Sequence, residues 1–388
     1  MISRRLVLVL ALVAAGCGSS AREDRPAARA TSTTIPPATV TPNETPEPTS
    51  TPSRVPARRT VATGLHVPWG IAFLPGGDAL VAERTTARIL RIPAGGGRAR
   101  VAMKVPGVAT GAGEGGLLGL AVSPRYRRDR LVYAYFTSRS GDNRIVRFRL
   151  GGRVRTVLRG IASSSIHNGG RIAFGPDGKL YAGTGDAGVS SRAQDRRSLN
   201  GKILRMNPNG SVPRGNPFRR SLVWSWGHRN VQGLAWDRRG RLWATEFGQN
   251  TRDEVNLIRR GRNYGWPVVE GRGSRHGGRF TNPKVTWSTS EASPSGAAIV
   301  GSTLYVGALQ GECVWKVPLR GTSTRRPRRM LTGRYGRIRT VAAAPERSGD
   351  ERSARGRGTL WVATSNRDGR GAPRDGDDRI VAIRVRRR

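Results

Sequence analysis

A unit of paired short strands recurs along this chain, and its repetition limits the possible folds more than any single residue does. Each copy has an apolar alternating strand, a turn of Pro, Asp and Gly, and a second strand ending in small residues. The clearest copies are Gly70-Ile71-Ala72-Phe73-Leu74-Pro75-Gly76-Gly77 leading to Ala79-Leu80-Val81-Ala82, and Arg171-Ile172-Ala173-Phe174-Gly175-Pro176-Asp177-Gly178 leading to Leu180-Tyr181-Ala182-Gly183. A third is Gly233-Leu234-Ala235-Trp236-Asp237 leading to Arg241-Leu242-Trp243-Ala244-Thr245, and weaker copies start at Gly119-Leu120-Ala121, Ala297-Ala298-Ile299 and Thr340-Val341-Ala342. Many are followed by a third run, as in Arg88-Ile89-Leu90-Arg91-Ile92. Period-two alternation over short stretches bounded by Gly, Pro and Asp specifies strands, not helices. The clear and weak copies together make six units, which predicts an all-β fold, a six-bladed β-propeller, because a radial array of small sheets leaves only short protected edges. Residues 61–65 are expected to pair beside residues 379–384 and close the ring.

The propeller is expected over residues 60–388, as a single catalytic domain. Residues 1–16 read as a lipoprotein signal peptide: Arg4 and Arg5, an apolar run from Leu6 to Val13, then Ala14-Ala15-Gly16 before Cys17. The apolar run is too short for a stable bilayer span. Small residues directly before a cysteine resemble a bacterial lipoprotein cleavage box, so lipidation is expected at Cys17; the alternative is plain secretion with an incidental cysteine. Residues 17–59, rich in Thr, Pro, Ser and Ala, cannot bury enough apolar surface to offset the entropy of ordering, and read as a disordered tether. Together these features predict an extracytoplasmic protein held at the cell envelope by a lipid anchor. Cys313 is the only other cysteine, so no disulfide is expected in the mature domain.

Lys and Arg number 68 against 26 Asp and Glu, giving a formal net charge of +42. A nucleic-acid binder gathers such charge on one stripe or face. Here the arginines are scattered through every segment, so no nucleic-acid partner is expected. Attraction to anionic envelope surfaces is a secondary consequence of the charge.

The chemistry starts at Ile166-His167-Asn168-Gly169-Gly170-Arg171-Ile172, followed by Gly185-Asp186. One of only four histidines stands beside a strand start, with a carboxylate beyond the end of the next strand. A base and its orienting acid on adjacent strands is the pairing that proton abstraction needs; the plain alternative is a polar histidine satisfied within a turn. Further motifs are Gly113-Glu114-Gly115-Gly116-Leu117-Leu118-Gly119-Leu120, Gly227-His228-Arg229-Asn230-Val231-Gln232-Gly233, Asp253-Glu254-Val255-Asn256-Leu257-Ile258 with Asn263-Tyr264-Gly265-Trp266-Pro267, and Gly336-Arg337-Ile338-Arg339.

In these motifs and their order the chain resembles the soluble pyrroloquinoline quinone (PQQ)-dependent sugar dehydrogenases, the glucose/sorbosone dehydrogenase family, from about residue 64 to residue 384. The resemblance implies an oxidoreductase that takes hydride from a sugar hydroxyl to PQQ, with calcium as second cofactor and a further electron acceptor for reoxidation. It makes His167 the general base, Asp186 the carboxylate that orients it, and Arg229 the cation near substrate. Asn230 and Gln232 would hydrogen-bond the cofactor, Glu114 would stand against it, and Arg337 with Arg339, two apart on a strand and so on one face, would grip its carboxylates. Calcium would be held partly by the backbone carbonyls of Gly248 and Gln249, and Glu254 and Tyr264 match a second, structural calcium site of some relatives. Two residues depart from the pattern. Gln310 stands where relatives commonly carry a basic cofactor contact, and Gln249 replaces a frequent proline, which should loosen the calcium loop.

Two rival functions stay open on the sequence. A calcium-dependent propeller lactonase or hydrolase would leave Arg337 and Arg339 without an anionic ligand. A non-catalytic sugar- or protein-binding lipoprotein is kept open by Gln310. The anchor is directly testable: Cys17→Ala should shift the protein from the membrane to the soluble fraction of lysed cells, and unchanged retention would show that Cys17 does not anchor it.

Overall fold

In the computed structural model, residues 58–111, 113–273, 277–345 and 357–386 are described. Residues 1–16, Cys17 and all but the last two residues of the expected tether lie outside them. The repeat folds as six antiparallel sheets. Blade 1 runs outward from Pro68–Phe73 through Ala79–Glu83 and Arg88–Ile92 to Arg100–Lys104. Blade 2 follows with Leu117–Val122, Val132–Thr137, Asp142–Phe148 and Arg155–Ala162, and blade 3 with Ile172–Phe174, Leu180–Gly183, Lys202–Met206 and Val223–Trp226. Blade 4 holds Val231–Trp236, Leu242–Glu246, Asp253–Ile258 and Val285–Trp287. Blade 5 holds Pro294–Val300, Thr303–Ala308 and Cys313–Arg320, on which both Ser323–Thr324 and Arg328–Met330 pair.

Blade 6 closes the ring. Ile338–Ala343, Arg357–Thr364 and Ile380–Arg386 take their fourth strand, Arg58–Ala62, from the other end of the sequence, with Arg58 opposite Ile383 and Ala62 opposite Ile380. This strand lies earlier than the expected 61–65 and includes the last two residues assigned to the tether. The reason is local: Gly64 turns the chain at a φ of 66°, and Leu65 exchanges backbone hydrogen bonds with Asp378 in the loop before Ile380.

Successive side chains of a strand point to opposite faces, and strands such as Ala79–Glu83 and Val132–Thr137 are buried at every position, so each sheet buries one face against the preceding blade and one against the next. Six hydrophobic clusters result among the described residues, five drawn from two neighbouring blades and the sixth from blades 2 and 3 with Trp69 of blade 1. Leu80 and Ile89 of blade 1 pack with Leu117, Val132 and Phe148 of blade 2. The closing cluster sets Val61 and Leu65 with Val81 and Leu90 against Trp361 and Ile380. Each fully buried Leu or Ile contributes about 2 kcal/mol, so the blades cohere through their shared faces.

At the axis the inner strands are bound by one side chain. Arg171 Nε donates to the Gln232 carbonyl of blade 4 at 2.8 Å, and Nη2 to Thr340 Oγ1 of blade 6 at 3.1 Å. Thr340 in turn donates to the Trp69 carbonyl of blade 1, whose ring lies 4.2 Å beneath the Arg171 guanidinium. Burial pushes Arg171 down to about 9, and Arg339 adds to the effect. Among the described residues no carboxylate pairs with it, so carbonyl oxygens and the Trp69 π face carry its charge. Arg171→Ala should lower stability by about 3 kcal/mol in urea unfolding, since it leaves buried acceptors unmet; a loss below about 1 kcal/mol would show that the blades do not depend on this hub.

Candidate active site

Antiparallel neighbours bring the loop before each inner strand and the loop after each second strand to the same end of the ring. Glu114, His167, Arg229 and Arg337 stand before inner strands; Arg84, Asp186, Gly248, Gln249, Gln310 and Asp368 stand after second strands. The propeller thus delivers nearly every expected site residue to one rim.

His167 has a left-handed backbone, φ 54°, which is uncommon away from glycine. Two contacts hold it there. Its N–H donates to Glu114 Oε2 at 3.0 Å, and its carbonyl packs so tightly on Gly185 that any Cβ at 185 would collide with it. The ring lies between two charged groups. Nδ1 is 2.7 Å from Asp186 Oδ1, and Nε2 is 2.8 Å from Arg229 Nη2. A guanidinium only donates, so Nε2 is the acceptor and the proton sits on Nδ1, facing the carboxylate. That is the tautomer a general base requires.

Asp186 is itself fixed: Oδ1 also accepts from the Gly188 N–H at 2.9 Å, and Oδ2 from the Trp266 indole at 2.8 Å. Burial pushes its carboxyl up, but His167, Gly188 and Trp266 outweigh it and hold it below the ordinary value. Arg229 is anchored away from the imidazole as well. Its Nε donates to Gln249 Oε1 at 2.8 Å, and its backbone N–H to Glu246 Oε2 at 3.1 Å. Glu246 also receives buried His228 at 3.1 Å, and His228 meets Ser225 Oγ at 2.9 Å and stacks on Tyr264.

Beside this group lies a second cluster. Arg337 Nη2 and Arg339 Nη2 both reach Asp368 Oδ2, at 3.1 and 3.4 Å, and Arg84 Nη2 meets the Asp368 carbonyl. Arg339 Nη1 donates to Gln232 Oε1 at 3.1 Å, and the Gly169 N–H to Asn230 Oδ1 at 3.0 Å. Arg84, Arg337 and Arg339 are each 6% exposed. Burial pushes Arg339 down to about 10, opposed by Asp368; Arg84 is lowered by burial too. Three N–H-bearing atoms here, Arg84 Nε, Arg339 Nε and Asn230 Nδ2, are buried with no hydrogen-bond partner among the described residues. Buried donors without acceptors are rare, and this set, with three guanidinium groups to one carboxylate, fits an anionic, oxygen-rich ligand such as a carboxylated quinone.

The loop 247–252 borders the Arg229 side. Among the described residues the Gly248 and Gln249 carbonyls accept no hydrogen bond, and hard oxygens of this kind suit calcium. No group of three His, Cys, Asp or Glu side chains among the described residues stands ready to hold a metal.

Three expected residues are placed otherwise. Glu254 spends both oxygens internally, on the Gly271 N–H and Asn256 Nδ2, each at 2.8 Å; burial and then the Glu246 charge push its carboxyl well above the ordinary value. Tyr264 donates to the Leu257 carbonyl and accepts from the Arg259 N–H. These bonds tie both residues into the packing of blade 4. Gln310 lies on the rim but is exposed, and no hydrogen bond ties it to the arginines. Sequence reasoning missed Arg84, Asp368 and the role of Trp266. Trp266 lay inside a quoted motif; Arg84 and Asp368 follow second strands, as Asp186 does, and aligning the units in register would have exposed them.

A family model described as glucose / sorbosone dehydrogenase matches residues 65–371. The chain belongs to that family. It is 53% identical to the aldose sugar dehydrogenase of Streptomyces coelicolor, solved in a PQQ-bound form, with a TM-score of 0.77 over 84% of this chain and 96% of that one. It is 30% identical over 343 residues to aldose sugar dehydrogenase YliI of Escherichia coli, covering 78% of this chain and 88% of that protein. Quinoprotein glucose dehydrogenase B of Acinetobacter calcoaceticus matches at 31% over 263 residues, so the chain spans 55% of that relative's length.

Burial raises the Asp368 carboxyl, but Arg339 and Arg337 outweigh it and hold it below the ordinary value. A depressed carboxylate stabilises the fold above its unfolded pKa, about 4, and loses that contribution as pH falls through the lower folded value. Asp368→Asn should therefore cost about 3 kcal/mol at neutral pH, by stranding two buried guanidinium groups, and should flatten the acid limb of the unfolding profile. An unchanged acid limb would show that the pair does not govern it.

Proposed function

We propose that this protein is an exported, PQQ- and calcium-dependent oxidoreductase that oxidises the hydroxyl of an aldose or related polyol. The observation that carries the reading is the juxtaposition at one rim of a tautomer-fixed imidazole and a buried guanidinium cluster with unsatisfied donors. The family membership and the PQQ-bound form of the Streptomyces relative support the same cofactor. Arg84, Arg337 and Arg339, with Asn230 and Gln232, would hold the quinone, and the Gly248 and Gln249 carbonyls would contribute to calcium. Bound there, the quinone supplies a two-electron acceptor for hydride, and calcium a Lewis acid for its carbonyl.

The chain's own part is proton handling. His167 Nε2 takes the proton of the sugar hydroxyl, and Asp186 stabilises the imidazolium that forms, keeping its Nδ1–H in place. Arg229 caps Nε2 in this structure while its Nε and Nη2 both donate to Gln249 Oε1 and its Nη1 to the Phe247 carbonyl, so the guanidinium stays in place and the one N–H released from Nε2 can donate to developing negative charge when a hydroxyl takes its place. Trp266 and Gly188 keep Asp186 from rotating away. Export with a Cys17 lipid anchor would place the reaction at the envelope, with an acceptor there to take the electrons.

The full chain loaded with PQQ and calcium chloride should reduce an artificial dye when aldoses are added. His167→Ala should keep the quinone absorbance change on loading but lose about 100- to 10,000-fold in dye reduction. Normal turnover by that variant would remove His167 from the mechanism. Failure of the wild-type chain to take up PQQ would favour a non-catalytic sugar-binding role, and lactone hydrolysis without quinone the hydrolase.

A further inference from the structure

The loop 248–252 is wrapped around one oxygen atom. Glu270 Oε1 accepts four successive backbone N–H groups, from Gln249 at 2.6 Å, Asn250 at 3.0 Å, Thr251 at 2.9 Å and Arg252 at 3.0 Å. Consecutive amides converging on one anion form a nest, here filled by the chain's own carboxylate. Glu270 comes from the segment after Trp266-Pro267, away from the loop in sequence.

The nest dictates where the carbonyls go. In a trans peptide the N–H and C=O point in opposite directions. The Gln249 and Asn250 N–H groups share their peptide units with the Gly248 and Gln249 carbonyls, so aiming the first pair at Glu270 turns the second pair away from it. The tightness of the wrap appears at Gly248, where a Cβ would strike the Arg252 carbonyl and lie 2.7 Å from Glu270 Oε1. The same loop is tied to the imidazole side by Gln249 Oε1 on Arg229. The expectation that Gln249, in place of proline, loosens this loop is therefore met by a compensating bond: a proline has no N–H, whereas the Gln249 N–H makes the shortest of the four contacts with Glu270.

We propose that Glu270 is a positioning residue for calcium, which fixes the Gly248 and Gln249 carbonyls in a metal-ready orientation before any ion arrives. The inference rests on the calcium reading given above. With the Gln249 and Asn250 N–H groups committed to Glu270, the Gly248 and Gln249 carbonyls are held in one orientation and accept no hydrogen bond among the described residues, and a preset pair binds an ion without the cost of ordering the loop.

The test has two arms on the full calcium-free chain. Hydrogen exchange should show the amides of residues 249–252 protected in the wild type and exchanging roughly tenfold faster or more in Glu270→Ala, with Glu270→Gln between them. Equal protection in Glu270→Ala would overturn the proposal whatever the metal does. In calorimetric titration with calcium chloride, Glu270→Ala should bind about 10- to 100-fold more weakly than wild type, with partial rescue in Glu270→Gln and an unchanged melting temperature of the calcium-free protein. Wild-type binding with an equal affinity in Glu270→Ala would overturn the inference and leave the calcium reading intact. No calcium binding by a folded wild type would instead remove that reading and the role of Glu270 with it.

Discussion

A propeller has no sheet that runs through the whole molecule, so the position of every rim residue depends on the ring being shut. Here the closure is covalent on one side and hydrogen-bonded on the other: Arg58–Ala62 completes a blade whose other strands come from residues 338–386. Were that pairing lost, blade 6 would be free to swing, and with it Arg337, Arg339 and Asp368, which must stay within ångströms of Gln232 on blade 4. Arg171 reinforces the closure from inside, joining blades 1, 4 and 6 through one guanidinium held by neutral acceptors. The strand at the perimeter joins the two ends of the described fold, and the cation at the axis ties the inner strands together.

The rim shows how a strongly basic chain uses charge where solvent cannot screen it. Scattered surface arginines contribute little individually. Burial of Arg84, Arg229 and Arg339 lowers each of their pKa values, a sign that they are held at some cost in desolvation. Such a cost is tolerated where it is returned on binding an anion, because opposite charges attract most strongly out of water. Asp368 offsets part of it in the free protein and keeps the two guanidinium planes in place.

How much of this was legible in the sequence follows from what each signal measures. Strand alternation and turn chemistry are local, so the six units and the inner strands could be read directly. His167 with Asp186, and Arg337 with Arg339, were legible because each pair lies within one repeat or one strand. Asp368 and Arg84 were not: Asp368 stands 29 and 31 residues from the two arginines of its own blade, and Arg84, on blade 1, meets the Asp368 carbonyl only once the ring is formed. Glu254 and Tyr264 show what a motif match leaves out: it named them as ligands but carried no sign of the hydrogen bonds that tie both side chains into blade 4. Register at the closing strand was misjudged because Gly64 and the Leu65–Asp378 exchange act together, and only one of them is local.

The borrowed strand also fixes an order of events during synthesis. While blades 1 to 5 are being made, Arg58–Ala62 has no partner, and the faces it should cover on Val81 and Leu90 remain open until Ile380–Arg386 leaves the ribosome. A polypeptide made this way stays unlocked until late in translation.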